Sequence, residues 1–271
     1  MSAVGFEIEA GVATITLNRP ERCNALAPEM LDALHAALDR LDGPRAPIPR
    51  APVPRAPVPR AVLLRAAGRH FSTGGDVARF ARAVSEGDGQ RYAARVVGGL
   101  NRAILRLAAL PCPVIAQVQG ALTGGALGLV LAADLVAMDR RAFIQPYYVR
   151  VGFAPDGGWT AMLPARIGAA RARAIQLLNS RIPADQALAL GLAQAVGDDP
   201  AEAVAGWLAQ LGAHQTGAMA ATKRLLLDLP ALEAGLAAEE HAFLERIELP
   251  EVRQGMADFL AGLTAPAGGA A

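Results

Sequence analysis

The chain has 271 residues, of which 53% are hydrophobic, 19% are charged and 4% are aromatic. This composition can bury a substantial core and is too apolar for an intrinsically disordered protein. The 26 basic and 25 acidic residues give a formal net charge of +1, so no strong field attracts nucleic acid or a membrane surface. We therefore expect neither nucleic acid nor a membrane as a partner.

The cysteines and the N-terminus bear on the compartment. Cys23 and Cys112 lie far apart and form no CxxC pair, which argues against a disulfide framework or a zinc site. The first ten residues carry Glu7 and Glu9 and lack the basic start and apolar core of a secretory signal. The apolar stretch 120–133 is shorter than the roughly 20 residues that span a bilayer, and we interpret it as a buried helix with a glycine-rich entrance. We expect a cytoplasmic protein without a bound metal.

The first half of the chain predicts an α/β fold. Alternation of Val, Ile and Thr over 6–18 predicts a hairpin, and the apolar spacing over 28–41 predicts an amphipathic helix. Short apolar strands are predicted at 61–65, 113–118 and 135–138. The first two of these lead into a glycine-bearing turn and then a helix-like segment, an alternation that predicts βαβ units.

The second half is mostly helical by pattern from about residue 165. Helices are predicted over 171–178, 183–190, 201–211, 217–227 and 231–247. We divide the chain into a core over 1–200 and a helical C-terminal region over 201–271. Such a tail is suited to packing on the core or on a neighbouring subunit.

A proline repeat interrupts the core. Residues 45–59 are three copies of Arg-Ala-Pro-[Ile/Val]-Pro, within a loop that we place at 44–60. Proline at this density prevents a helix or a central strand and leaves polyproline II or irregular backbone. The repeat is either a docking site for a proline-recognising partner or a tandem expansion tolerated in a surface loop. We favour the expansion, because lengthening an exposed loop costs little closure entropy.

Two glycine-rich segments carry the first chemical signal. They are RHFSTGGD at 69–76 and VQGALTGGALG at 118–128, and each follows a predicted strand. Glycines at a strand-to-helix turn leave backbone N–H groups free to point into a site, and two such donors can form an oxyanion hole. The alternative is a pair of tight turns with close helix packing. Neither segment fits a phosphate-binding P-loop or a dinucleotide fingerprint.

Three segments together resemble a known family. NRPERCNAL at 18–26, the segment 70–76 and the segment 119–128 resemble, in order, the signature segments of the crotonase superfamily, that is, the enoyl-CoA hydratase/isomerase family. The resemblance extends from about Gly5 to Leu260. It implies an α/β, crotonase-like (ClpP/crotonase) spiral of ββα units with a helical C-terminal trimerisation region. It also implies a homotrimer or homohexamer acting on an acyl-CoA thioester without a separate cofactor.

The resemblance also assigns site residues. It places the oxyanion-hole donors at the backbone N–H groups of Gly75 and Gly125. The other residues that we expect to bind the acyl-CoA are Arg22, Ala25, Thr73, Gly74 and Tyr148. Ala25 and Thr73 match positions whose backbone lines the adenine pocket. Arg22 matches a basic position near the CoA phosphates, although an exposed arginine can equally be only solvated.

Departures from the family bear on the reaction. A hydratase of this family uses two glutamates to activate water, and this sequence has Gly128 and Tyr148 at those positions. Neither side chain can act as a carboxylate base near neutral pH. Efficient hydration by the usual mechanism is therefore not expected.

A different carboxylate is available at Asp156, in VGFAPDGGWT at 151–160. This pattern is similar to the isomerase branch, notably the ring-1,2-epoxyphenylacetyl-CoA isomerases, in which the aspartate at this position is the acid/base. Burial near Phe153 and Trp159 would raise the pKa of Asp156. The alternative is that Asp156 caps the helix that follows, a common role for aspartate after proline.

We therefore predict an acyl-CoA isomerase that uses Asp156 as acid/base. One alternative is an enoyl-CoA hydratase with relocated acids. Another is a dehalogenase-like enzyme that uses Asp156 as a nucleophile. From another class, a non-catalytic acyl-CoA-binding protein would bind thioesters without turnover.

Overall fold

A computed structural model describes residues 2–42 and 58–264 of the chain. All but the last two residues of the predicted proline repeat at 45–59 lie outside the described residues. Both interpretations of the repeat, a docking site and the favoured tandem expansion, therefore stay predictions.

A six-stranded sheet forms the centre of the fold. Its strands are β1 (Val4–Glu9), β2 (Val12–Leu17), β3 (Ala61–Ala66), β4 (Val114–Val118), β6 (Leu135–Asp139) and β9 (Ala195–Gly197), in the spatial order β1-β2-β3-β4-β6-β9. The hairpin predicted over 6–18 is confirmed, because β1 pairs antiparallel with β2. All later neighbours pair in parallel, and the strands predicted at 61–65, 113–118 and 135–138 are among them. Strands in the middle of a parallel sheet are covered on both faces, which explains their nearly continuous apolar sequences.

A second, three-stranded sheet contains β5 (Ala121–Thr123), β7 (Phe143–Gln145) and β8 (Ile182–Pro183). Because β5 follows β4 directly and β7 follows β6, the chain passes from the large sheet to the small sheet before each following helix. This is the predicted succession of ββα units. The interpretation of 120–133 as one helix was wrong in part. The segment first pairs with β7 as a strand, turns through a short 3₁₀ helix (Gly124–Ala126) and only then forms α4 (Leu127–Leu131).

Eleven further α-helices surround the sheets in the described residues: α1 (Pro28–Asp42), α2 (Val77–Ser85), α3 (Gly89–Ala108), α5 (Tyr148–Val151), α6 (Leu163–Ile167), α7 (Ala169–Leu177), α8 (Ala184–Ala189), α9 (Pro200–Gly212), α10 (Thr216–Leu226), α11 (Leu229–Arg246) and α12 (Pro250–Thr264). The predicted helices correspond to α1 and to α7 through α11, with ends that agree within about two residues. Helices α5, α6 and α12 were not predicted.

The helices cover both faces of the large sheet. Leu63 of β3 packs with Val204 of α9, whereas Val62 and Leu64 belong to the main core on the opposite face, as alternation along a strand requires. Helix α11 contacts α3, and α12 contacts α2 and α5. The C-terminal helices therefore pack on their own core. The domain boundary at 200 and the homotrimer or homohexamer stay predictions.

None of the helices within residues 2–42 and 58–264 combines the length and the apolar character that crossing a membrane requires. Cys23 and Cys112 form no disulfide.

Candidate active site

Asn24 joins the first signature segment to the second. Its side chain is fully buried, and its Oδ1 accepts a hydrogen bond from the backbone N–H of Arg19 at 2.8 Å. Its Nδ2 donates to the carbonyl oxygens of Ala67 and His70, both at 2.9 Å. The hydroxyl of Ser72 in turn donates to the carbonyl oxygen of Asn24 at 2.8 Å. Segments that are 46 to 48 residues apart in sequence are thus held in contact by one amide and one hydroxyl.

The two glycine-rich turns lie side by side. Ser72 donates its backbone N–H to Ala121, and Thr123 donates to Ser72, both at 3.1 Å. His70 Nδ1 accepts from the backbone N–H of Ala121 at 3.0 Å. Burial lowers the pKa of His70, which favours the neutral ring that this acceptor role requires. At Gly74, a Cβ atom would lie 2.7 Å from the carbonyl oxygen of Thr123, so this glycine permits the close approach.

A cavity of about 550 Å³ opens where these segments meet. Of the predicted site residues, those that line it are Arg22, Ala25, Thr73, Gly75, Gly125, Tyr148 and Asp156. The structure thus brings together residues from five separate segments of the chain. Gly74 is outside the lining, because it packs between the two turns and its carbonyl oxygen accepts from Leu26. The assigned roles in binding and catalysis stay predictions.

Asp156 lies against the second glycine turn. A Cβ atom built on Gly125 would be 2.9 Å from Oδ1 and 3.2 Å from Oδ2 of Asp156. The Tyr148 hydroxyl donates to Oδ1 of Asp156 at 2.5 Å and lies 3.0 Å from its backbone oxygen. The alternative reading of Asp156 as a helix cap is wrong, because the next helix begins only at Leu163 and its cap position is Met162. The carboxylate faces the cavity instead.

The surroundings of this pair shift both pKa values upward. Burial raises the pKa of Asp156 to about 7, the Tyr148 hydrogen bond lowers it, and the negative charge of Glu239 raises it. Burial and the adjacent Asp156 also raise the pKa of Tyr148 well above its usual value. Near neutral pH, therefore, Tyr148 is a neutral donor and Asp156 can gain or lose a proton.

The residues after Asp156 fill the space behind it. Gly157 adopts a φ of +64°, and a Cβ on it would lie 2.4 Å from the carbonyl oxygen of Gly125. The Trp159 indole N–H donates to the carbonyl oxygen of Gly124 at 2.8 Å. At Gly128, a Cβ would lie 2.4 Å from the Gly157 carbonyl oxygen. A glutamate therefore has no room at Gly128 while the 156–159 loop occupies its present position.

Sequence reasoning missed two contributions from the C-terminal helices. Helix α12 lines the cavity with Phe259, Leu260 and Leu263, and the Phe259 ring meets that of Tyr147 edge-on at 5.8 Å. Helix α11 supplies Glu239, whose carboxylate accepts hydrogen bonds from backbone N–H groups of the loop after Asp156. Nothing in the sequence distinguishes Glu239 from the other charged residues of this helix. The described residues contain no group of three or more His, Cys, Asp or Glu side chains placed to hold one metal ion.

Several known proteins are similar to this chain in sequence. A family model described as enoyl-CoA hydratase/isomerase matches residues 7–266. The 1,2-epoxyphenylacetyl-CoA isomerase of Escherichia coli (strain K12) is 34% identical over 214 residues, covering 79% of this chain and 76% of that relative. The trans-2-decenoyl-acyl-carrier-protein isomerase of Streptococcus mutans is 32% identical over 188 residues, covering 69% of this chain and 66% of that relative.

Solved structures show the same fold. The crystal structure of an enoyl-CoA hydratase from Mycobacterium avium subsp. paratuberculosis K-10 superposes with a TM-score of 0.80 and 28% identity, over 96% of each chain. The predicted crotonase-like fold is therefore confirmed. With the family model spanning nearly its whole length, the chain belongs to the enoyl-CoA hydratase/isomerase family.

Proposed function

We propose that this chain is an acyl-CoA isomerase that moves a double bond, or otherwise rearranges an acyl-CoA thioester, through an enolate intermediate. The observation that carries the proposal is the position of Asp156. Its buried carboxylate lies beside Gly125 in the cavity and accepts a hydrogen bond from Tyr148. An acid/base group is thus adjacent to a predicted oxyanion donor.

Two backbone amides would stabilise the negative charge. The N–H groups of Gly75 and Gly125 are not used in the hydrogen bonds of the described turns, and both glycines line the cavity. Donating to the thioester oxygen, they would stabilise the enolate that forms when a carbon-bound proton leaves. One such donor is typically worth a factor of about 10²–10³ in rate.

Asp156 would perform both proton transfers. In its ionised form it takes a proton from one carbon of the acyl chain, and in its protonated form it returns that proton to another carbon. The enzyme ends in its starting state, so the shift consumes no water and requires no separate cofactor. A pKa of about 7 suits this role, because a group that titrates near the working pH can both accept and donate a proton.

The carboxylates of this cavity favour isomerisation over hydration by the usual pair of glutamates. Among the described residues that line it, the carboxylates are Asp76 and Asp156. Asp76 caps α2, where its side chain accepts from the backbone N–H of Arg79 at 3.2 Å. Gly128 offers no space for a second acid, and Tyr148 uses its hydroxyl on Asp156. These observations favour isomerisation, and two of the relatives named above are isomerases.

The remaining cavity residues fit a CoA thioester. Arg22 is exposed at the cavity and would pair with CoA phosphates, while Ala25 and Thr73 would line the adenine site. Gly74 would act indirectly, by letting the two glycine turns approach each other. Side chains such as Phe143, Phe259 and Leu263 give the acyl group a largely apolar environment.

Proton exchange in D₂O tests the proposal. The protein is incubated with 2-enoyl-, 3-enoyl- and aryl-CoA panels, and deuterium incorporation is read by mass spectrometry. We expect exchange at the α or γ carbon without water addition. Asp156→Asn should lower the exchange rate by a factor of about 10²–10⁴ while thioester affinity is nearly kept. Asp76→Asn, which keeps the helix cap, is the matched control and should stay within about tenfold of wild type.

The alternatives give different results in the same experiment. Water addition that depends on Asp156 would indicate a hydratase, and a covalent aryl adduct on the protein would indicate a dehalogenase-like enzyme. Thioester binding without any turnover would indicate a binding protein. An Asp156→Asn variant that exchanges at the wild-type rate would remove Asp156 from the mechanism.

A further inference from the structure

Glu239 carries a buried carboxylate whose oxygens are engaged by one loop. It is 4% exposed on α11. Its Oε2 accepts from the backbone N–H of Gly158 at 2.7 Å, and its Oε1 accepts from those of Thr160 at 2.6 Å and Ala161 at 2.9 Å. The Thr160 hydroxyl donates to the same Oε1 at 2.7 Å. Burying a carboxylate is costly unless such bonds compensate it, so this contact is a built anchor for the loop.

The anchored loop is the one that carries Asp156. Gly158 is two residues after Asp156, and Gly157 packs directly on the backbone of Gly125. Trp159, within the anchored stretch, donates its indole N–H to Gly124. One side chain of α11 therefore fixes a loop that touches both the proposed base and the second glycine turn.

We propose that Glu239 is a positioning residue of the active site, holding the 158–161 loop so that the Asp156 carboxylate stays beside the Gly125 amide. This inference rests on the proposed function. It goes beyond that function because it makes a residue of the C-terminal helical region necessary for the geometry of the acid/base group. Glu239 itself is not among the cavity-lining residues.

The negative charge of Glu239 predicts a change in the pH dependence of exchange that a purely structural contact would not cause. Among the described residues, the ionisable groups that shift the pKa of Asp156 are Tyr148 from α5 and Glu239 and Glu240 from α11. Both glutamates raise the pKa of Asp156, and Glu239 has the larger effect. Neutralising Glu239 therefore lowers the pKa of Asp156. Because the base must be ionised, the acidic limb of the exchange rate moves to lower pH.

Glu239→Gln tests the inference, with Glu240→Gln as its matched control. Glu240 is the next residue of the same helix, and it accepts a hydrogen bond from the Asn101 side chain at 3.1 Å rather than from the loop. We expect Glu239→Gln to lower kcat for proton exchange by about 10- to 100-fold, the scale of a displaced catalytic group, with KM nearly unchanged. The pH at the midpoint of the acidic limb of its exchange rate should fall. Glu240→Gln should stay within about threefold of wild-type kcat and shift the midpoint less.

A folded Glu239→Gln variant with the kcat and midpoint of wild type would overturn the inference. If that variant does not fold, Thr160→Ala replaces it. It removes one donor to Glu239 and keeps the charge, so kcat should fall by a smaller factor while the midpoint stays in place. Wild-type kcat in Thr160→Ala would then count against the anchor.

A second readout separates this inference from the proposed function. Carboxyl-¹³C aspartate labelling reports the titration of Asp156 by NMR without any turnover, and the signal is assigned by its loss in Asp156→Asn. If the wild-type protein exchanges no protons with any thioester, the proposed function fails while this titration remains measurable. A downward shift in Glu239→Gln supports the placement of Glu239, and an unchanged titration overturns it.

Discussion

The signature turns and the Asp156 loop form one cavity, but they are held in different ways. Residues 18–26, 70–76 and 119–128 are joined by backbone pairing and by neutral side chains such as Asn24 and Ser72, which lie inside the segments that they hold. The Asp156 loop is held by Glu239, about 80 residues later in the chain. The first arrangement uses contacts made by the signature segments themselves, whereas the second makes the loop depend on a distant helix.

The two predicted oxyanion glycines differ in what a methyl group would strike. At Gly125 it would meet Leu100 Cδ2 at 2.7 Å and the Asp156 carboxylate at 2.9 Å, and at Gly75 it would meet the edge of the Phe80 ring at 2.8 Å. Displacing the Phe80 ring moves a side chain without a proposed role in proton transfer, whereas the carboxylate is the proposed base. We expect Gly125→Ala to slow α-proton exchange by about 100-fold and Gly75→Ala by less than about tenfold. Measured exchange rates with equal thioester affinity check this, and the reverse order would contradict the placement of Asp156.

Asn24 provides the corresponding test for the signature turns. Asn24→Ala removes three hydrogen bonds to buried or partly buried backbone groups and places alanine at a φ of +52°. We expect the free energy of unfolding to fall by about 3 kcal/mol, as measured by urea denaturation. The midpoint of the acidic limb should not change, because Asn24 carries no charge. If Asn24→Ala moves this midpoint to lower pH, as Glu239→Gln is expected to do, then the signature turns and the Asp156 loop do not differ in their effect on Asp156.

The same distinction explains what the sequence could predict. The turns at 70–76 and 119–128 were predicted because glycine marks them, and β3, β4 and β6 because their apolar runs are short and bounded. Asp156 was identified through a local motif. Its partner Glu239 was not identified, because an acidic residue within a helix is expected to face solvent unless the packing of α11 is known. Helix α4 was placed too early because periodicity does not distinguish a three-residue buried strand from the first turn of a helix.

Two helical glycines test how tightly the Asp156 loop packs. A Cβ on Gly128 of α4 would lie 2.4 Å from the Gly157 carbonyl oxygen and 2.4 Å from Ile104 Cδ1, whereas Gly206 of α9 has no neighbour within 4 Å. Gly128→Ala should lower the free energy of unfolding by about 2 kcal/mol through overpacking. Gly206→Ala should raise it by about 0.5–1 kcal/mol, because alanine favours the helix. If Gly128→Ala and wild type have equal free energies of unfolding in denaturant titrations, then the Asp156 loop can shift to make room for the methyl group.

Tyr148→Phe should have the smallest effect, but its direction is diagnostic. The variant keeps the ring and removes the hydroxyl that donates to Asp156 at 2.5 Å. That hydrogen bond lowers the pKa of Asp156, so its loss should raise the pKa and move the acidic limb of exchange to higher pH, opposite to Glu239→Gln. Tyr147→Phe is the control, since the Tyr147 ring faces Phe259 edge-on and no hydrogen bond to Asp156 is lost.

The pH dependence of stability should also shift to higher pH in Tyr148→Phe. Burial raises the folded-state pKa of Asp156 from 3.8 to about 7, so its contribution to stability is complete below the lower value and is lost as the pH rises toward the upper one. With a still higher pKa in Tyr148→Phe, that loss should extend to higher pH, in addition to about 1 kcal/mol for the missing hydrogen bond. Melting temperatures at pH 5, 7 and 9 measure both effects. If the midpoint of the acidic limb of exchange stays in place or falls to lower pH in Tyr148→Phe, then Tyr148 does not stabilise the ionised form of Asp156.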